Sequence, residues 1–117
     1  MNVESFRDYC LAKPGVTEGF PFDSNTLVFK VMGKMFALTN VDLFQTVNLK
    51  CDPEYAIELR ETFQGVKPGY HMSKKHWNTV ANESDVPEKL FLEMIDQSYE
   101  LVVKSLTKKL RNELQGG

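Results

Sequence analysis

The stretch from Gly65 to Val80 holds the residues best suited to chemistry. It carries Lys67, Lys74 and Lys75, His71 and His76, and the rings of Tyr70 and Trp77, with no acid among them. Ammonium groups attract phosphate, and aromatic or imidazole rings stack on bases and sugars, so the composition points to an anion-facing surface that bears rings. The same lysines also suit a hairpin edge, where charge discourages pairing with another sheet. The two histidines stand five residues apart, and a strand–turn–strand would bring them together across the hairpin. Without a neighbouring Cys or Asp they make a poor metal motif. Ser73, His71, His76 and a distant acid have the residue types of a nucleophile–base–acid set. No nucleophile elbow, phosphate-cradling glycine loop or dinucleotide fingerprint accompanies them, so catalysis is not expected. Trp77, the sole tryptophan, fits a core or rim anchor better than a dedicated stacking platform.

Charge is segregated elsewhere too. Leu101 to Arg111 holds Lys104, Lys108, Lys109 and Arg111 without an acid, whereas Glu83 to Glu100 nets -5. Basic residues late in a helix also complement its negative end. A second aromatic group, Phe20 and Phe22 around Pro21 with Tyr70, His71, Trp77 and Tyr99, has the mix of rings and polar groups that lines a small-molecule cleft. Cys10 and Cys51 sit in no paired motif and read as buried thiols. Only Cys51, beside Lys50 at a helix start, approaches the setting that activates a thiol.

These residues need positioning elements. Val3, Phe6, Tyr9 or Cys10, and Ala12 recur at helical spacing, which predicts a helix over 2–12, ended by Lys13-Pro14-Gly15. Turn formers predict a loop over 16–25. Strands follow over 26–32 and 35–39, joined by a tight turn at Gly33-Lys34, and over 44–49, with Phe44, Thr46 and Asn48 on one face. Asp52-Pro53-Glu54 opens a helix to about residue 63. Two short strands are expected near 66–72 and 76–81. Asp85 and Glu88 have capping-box spacing before a last helical region, with a break near 105–107 where Thr107 caps a terminal helix. The resulting order, α-β-β-β-α-β-β-α, describes an α+β two-layer sandwich with an antiparallel sheet covered by helices on one face.

Composition bounds the class. The 117 residues carry 14 Lys+Arg and 16 Asp+Glu, and 42% are hydrophobic. Disorder is excluded, and no apolar run reaches the roughly 20 residues of a membrane span. The first residues lack a basic-then-apolar export pattern, so a cytoplasmic location is expected. A pI of about 5.7 argues against tight sequence-independent DNA binding.

Several runs together carry a resemblance: Phe20-Pro21-Phe22, the hairpin over 28–37, Asn48-Leu49-Lys50-Cys51-Asp52-Pro53-Glu54, Pro68-Gly69-Tyr70-His71-Met72, His76-Trp77-Asn78-Thr79-Val80, and 95–102. On these the chain resembles the MmcQ/YjbR family over essentially its whole length, as one domain spanning 1–117. The resemblance implies a small bacterial cytoplasmic protein with a frataxin-like (CyaY-like) fold, and DNA binding through a "double wing" surface. Carried over, the binding residues are Lys30, Lys34, Lys67, His71, Lys74, Lys75, His76 and Trp77. This chain has Thr107 where the family commonly has Pro. Frataxin-type iron binding does not carry over, since the first helix offers only Glu4 and Asp8.

The leading expectation is therefore a binding module for DNA or another phosphate-bearing ligand, without catalysis, cofactor, metal or membrane association. The alternative is a small-molecule binding protein with an aromatic cleft near Trp77. A third is an interaction protein that uses the exposed sheet face. The oligomeric state is left open.

Overall fold

Local capping chemistry sets most of the element ends. The structure, a computed structural model, describes residues 1–70 and 72–116. The Asn2 side chain accepts the Ser5 amide at 2.7 Å and starts helix α1, Val3–Leu11. Asp52 accepts the Tyr55 amide at 3.2 Å ahead of α2, Pro53–Thr62, where Pro53 takes a position whose amide would lack a partner anyway. Helix α3 runs Glu88–Ser105, and Thr107 accepts the Leu110 amide at 3.2 Å to begin α4, Lys108–Leu114. The capping box expected at Asp85 does not form. The Asp85 carboxylate instead accepts the amides of Gln64 and Gly65, both at 2.7 Å, and these bonds hold its carboxyl below the ordinary range. Two charge-assisted bonds outweigh one cap, and α3 starts after Pro87 with no side-chain cap.

Among the described residues six strands form one antiparallel sheet: β1 Val16–Gly19, β2 Thr26–Val31, β3 Lys34–Asn40, β4 Thr46–Lys50, β5 Val66–Pro68 and β6 Trp77–Ala81, in the order β1-β2-β3-β4-β6-β5. The loop expected over 16–25 contains β1. Its turn formers hide a strand that exists through pairing, Val16 with Val31 through to Gly19 with Val28. The β2–β3 turn falls one residue earlier than expected. Met32 (φ 49°) and Gly33 (φ 87°) occupy it, as a primed two-residue turn requires, and Lys34 pairs with Val31. Strand β5 is shorter than expected and ends at Pro68, which has no amide to extend the ladder. The observed order thus adds one strand, β1, and the last helical region divides at Thr107 into α3 and α4 as expected, within the same α+β sandwich.

The helices cover one face. Phe6, Cys10, Phe29, Phe36, Val47, Leu49, Ile95 and Val102 belong to one buried cluster between helices and sheet. Phe6 meets Phe29 edge-on at 5.4 Å. An irregularity at Phe29/Lys30 brings both Phe36 and Ala37 into this core. Phe44, expected beside Thr46 and Asn48, has φ 43° and turns away to pack on Phe6 at 5.3 Å. Buried Ser98 of α3 accepts the Lys50 amide at 2.9 Å and donates to the Phe36 carbonyl, stapling α3 across β3 and β4. The Lys13 ammonium pairs with Asp96 and lies over the rings of Tyr9 and Tyr99, which joins α1 to α3. Among the described residues no helix is long and apolar enough to cross a membrane.

Candidate functional site on the open sheet face

The face away from the helices carries Thr26, Val28 and Lys30 of β2, Met35 and Leu38 of β3, Thr46, Asn48 and Lys50 of β4, Trp77 and Thr79 of β6, and Lys67 of β5. Strand alternation and register place them there. Val28, Leu38 and Trp77 form a second, smaller buried cluster on this face, with Met35 and Met72 packed against it. Trp77 is only 8% exposed, because Met35 and Met72 pack against its cluster on this face.

Above this cluster lies a groove of about 520 Å³. Its floor is Met35, Leu38 and Met72, and its polar lining is Asp23, Thr26, Thr39, Asn40, Thr46 and Asn48. Phe22 enters from the β1–β2 connection and Tyr70 from the β5–β6 connection, with β3 and β4 between them. Both rings are strongly exposed, 64% and 68% respectively.

The sequence folds locally to hold each ring. The Asp23 carboxylate accepts the amides of Asn25 (2.8 Å) and Thr26 (2.6 Å) and the Thr26 hydroxyl (3.0 Å), an Asx turn that anchors the residue next to Phe22. Those bonds hold the Asp23 carboxyl below its ordinary range. On the other side, the Thr79 hydroxyl accepts the Tyr70 amide (2.9 Å) and donates to Asn48 Oδ1 (2.5 Å), while Asn48 Nδ2 donates to the Tyr70 carbonyl (3.4 Å). Gly69 allows the chain to press onto the sheet, because a Cβ there would stand 2.8 Å from Trp77 Cβ and 3.0 Å from the Trp77 carbonyl oxygen. From behind the sheet, Arg60 of α2 donates to Asn78 Oδ1 (2.7 Å) and to the Lys74 and Trp77 carbonyls, fixing the β5–β6 connection.

The sequence-derived candidates divide. Phe22 and Tyr70 share the groove with one another, above Trp77. Phe20 and Lys30 line a separate depression of about 320 Å³ beside β1. Tyr99 does not belong to the cleft. It is buried on the helix side, edge-on to Phe36, and its hydroxyl donates to the Pro14 carbonyl at 2.6 Å, because its helical spacing puts it on the inner stripe of α3. Lys34 pairs opposite Val31, whose side chain faces the core, and its ammonium reaches the Ser105 carbonyl (3.4 Å) at the end of α3. Lys67 lies on the open face, Lys75 and His76 are exposed in the β5–β6 connection, and the Lys74 ammonium donates back to the Gly69 carbonyl at 3.3 Å. His71 lies outside the described residues. Sequence reasoning missed Met35, Leu38, Met72 and Asp23 as lining. The alternation that placed Thr46 and Asn48 together was the available signal, and Leu38 and Met35 needed the register.

Neither cysteine is poised for reaction. Burial pushes the Cys10 thiol up to about 12, and burial together with the Asp52 carboxylate pushes Cys51 up to about 11. Both are unpaired. Among the described residues no group of three or more His, Cys, Asp or Glu side chains is arranged to hold a metal ion.

Fold and site together define a small α+β protein, with helices on one side of an antiparallel sheet and an aromatic-walled groove on the other. The YjbR family model matches residues 11–101. The protein YbdF of Escherichia coli O157:H7 is 34% identical over 115 residues, covering 97% of this chain and 94% of its own length. YjbR of Escherichia coli strain K12 is 32% identical over 115 residues, covering 97% and 98%. The chain belongs to the YjbR family. The crystal structure of Deinococcus radiodurans protein DR2400, of the domain family DUF419, matches with a TM-score of 0.90 at 43% identity, over 97% of this chain and 88% of that one. The structure of a Pseudomonas syringae protein matches with a TM-score of 0.73 at 29% identity, over 86% and 98%.

Proposed function

We propose that this protein is a cytoplasmic binding protein that holds a small, flat molecule in the groove between Phe22 and Tyr70 without transforming it. The observation that carries the reading is the pair of exposed rings over a floor of Met35, Leu38 and Met72. Aromatic side chains with this much exposed surface beside a concave apolar floor offer area that a bound ligand buries. The hydroxyls and amides along the lining supply the few directional bonds that orient a ligand. Two unpaired, buried thiols fit a reducing compartment.

Fluorescence of Trp77, which lies beneath the groove, tests the reading by titration with a panel of flat heteroaromatic compounds that includes free nucleobases. Phe22→Ala and Tyr70→Ala are each expected to weaken a binding compound about tenfold, since one ring contact is worth roughly 1.4 kcal/mol. Both positions are exposed, so the variants are expected to fold. Binding that survives both substitutions unchanged would refute the groove.

A second reading, single-stranded nucleic acid, is supported by Lys67, Lys74 and Lys75 on the Tyr70 side of the face. Bases would stack on the rings while the ammonium groups meet phosphates. It predicts that a labelled oligodeoxynucleotide binds at low salt and that Lys74→Glu/Lys75→Glu removes most of the affinity. An affinity indifferent to salt and to these charges would exclude it.

A further inference from the structure

We infer that the groove selects an organic cation, a molecule with a flat apolar body and a positively charged nitrogen, over neutral and anionic molecules of the same shape. This rests on the groove being the binding site and names the charge class of its occupant.

Among the described residues that line the groove, Asp23 carries the only charge. Its position is built. Two backbone amides and the Thr26 hydroxyl take three of the roughly four acceptor directions of the carboxylate, which fixes its orientation and leaves room for one more donor. The same bonds keep it ionised, since they hold its carboxyl below the ordinary range. A second carboxylate adjoins this end, where Asp42 accepts the Asn25 side-chain amide at 2.5 Å. The Phe22 end of the groove is therefore negative.

The walls add to this. An aromatic ring presents a negative face, and a cation over it is attracted in a way that a neutral molecule is not. Phe22 and Tyr70 supply two such faces, and the thioethers of Met35 and Met72 are polarisable rather than charged. No described basic side chain lines the groove, although Lys50 and Lys67 share its face. Lys30 belongs to the neighbouring depression, Lys34 reaches the end of α3, and the Lys74 ammonium is turned onto the Gly69 carbonyl. An anion in the groove would lose water beside Asp23 with no described cation lining the site, whereas a cation would gain both the carboxylate and the rings.

Three probes of nearly one shape test the inference: N-methylquinolinium, quinoline and quinoline-3-carboxylate, titrated calorimetrically at about pH 8, where quinoline is uncharged. The cation is expected to bind about tenfold or more tighter than quinoline, and the carboxylate weakest. Asp23→Asn, which keeps an acceptor for the turn, is expected to remove most of that preference, read as the ratio of the cation's affinity to quinoline's within the same variant. Added salt on the wild-type protein gives an independent reading: it is expected to weaken the cation and spare quinoline. Quinoline binding as tightly as the cation, or a preference that survives both Asp23→Asn and salt, would overturn the charge assignment and leave the groove standing. Failure of all three probes to bind would overturn the groove reading itself.

Discussion

Phe29→Ala is expected to lower stability by about 3–5 kcal/mol, a large part of what a domain of this size has. Phe29 is fully buried at the centre of β2, edge-on to Phe6 of α1. Its loss removes a large apolar side chain from water-free packing and leaves a cavity beside Phe6 between α1 and the sheet. Those elements cannot fully close on it, because β2 is pinned by β1 and β3 on either side. Phe29→Leu keeps most of the volume and is expected to cost under about 1.5 kcal/mol. Urea unfolding monitored by circular dichroism gives both values. A loss below 1 kcal/mol for Phe29→Ala, roughly the average for any substitution, would show that the helix layer does not depend on this contact.

Arg60→Met is expected to cost about 2–3 kcal/mol and also to loosen the groove. The Arg60 guanidinium is the donor to Asn78 Oδ1, and Asn78 is almost fully buried between α2 and β6. The remaining Asn78 bond, from Nδ2 to the Ala56 carbonyl at 3.4 Å, does not satisfy that oxygen. Methionine fills the space and leaves the acceptor dry, the costly case for a buried polar group. The second effect is local. Without Arg60 the Lys74 carbonyl loses its side-chain donor and the Trp77 carbonyl keeps the Gly69 amide (2.8 Å), so the connection carrying Tyr70 loses its tie to α2. Urea unfolding reads the first effect, and amide hydrogen exchange near Trp77 reads the second. A double substitution, Arg60→Met with Asn78→Leu, removes both partners and is expected to recover part of the stability. Exchange unchanged in Arg60→Met would show that the connection is held by the sheet face without help from α2.

Much of the architecture was legible in order along the chain. Asp52-Pro53 and Thr107 announce helix starts through bonds each makes within three residues, and in the spaced apolar run Phe91, Ile95, Val102, Leu106 and Leu110 the first four are buried while Leu110, in α4, is half-buried. Such signals are local, so a linear reading finds them. The failures share one cause. Strand β1 pairs with β2 alone, Asp85 is claimed by amides 20 and 21 residues upstream, and Phe44 leaves its strand face for Phe6. Each is settled by a partner distant in sequence.

The binding candidates follow the same division. Residue types alone placed rings and lysines around Tyr70 and Trp77, and ordered runs of residues carried the resemblance to the YjbR family that the match over 11–101 shows. Which of them act together depended on the side of the sheet each one reached. Trp77 packed into the open-face cluster and Tyr99 into the helix layer, while Phe22 and Tyr70 came to line one groove with Met35, Leu38 and Met72. The reason is that strand alternation and helical periodicity assign a side chain to a face, whereas only pairing register and layer packing bring faces from distant segments together. A groove is a property of that assembly, so residues as ordinary in sequence as Asp23 and Leu38 become its lining.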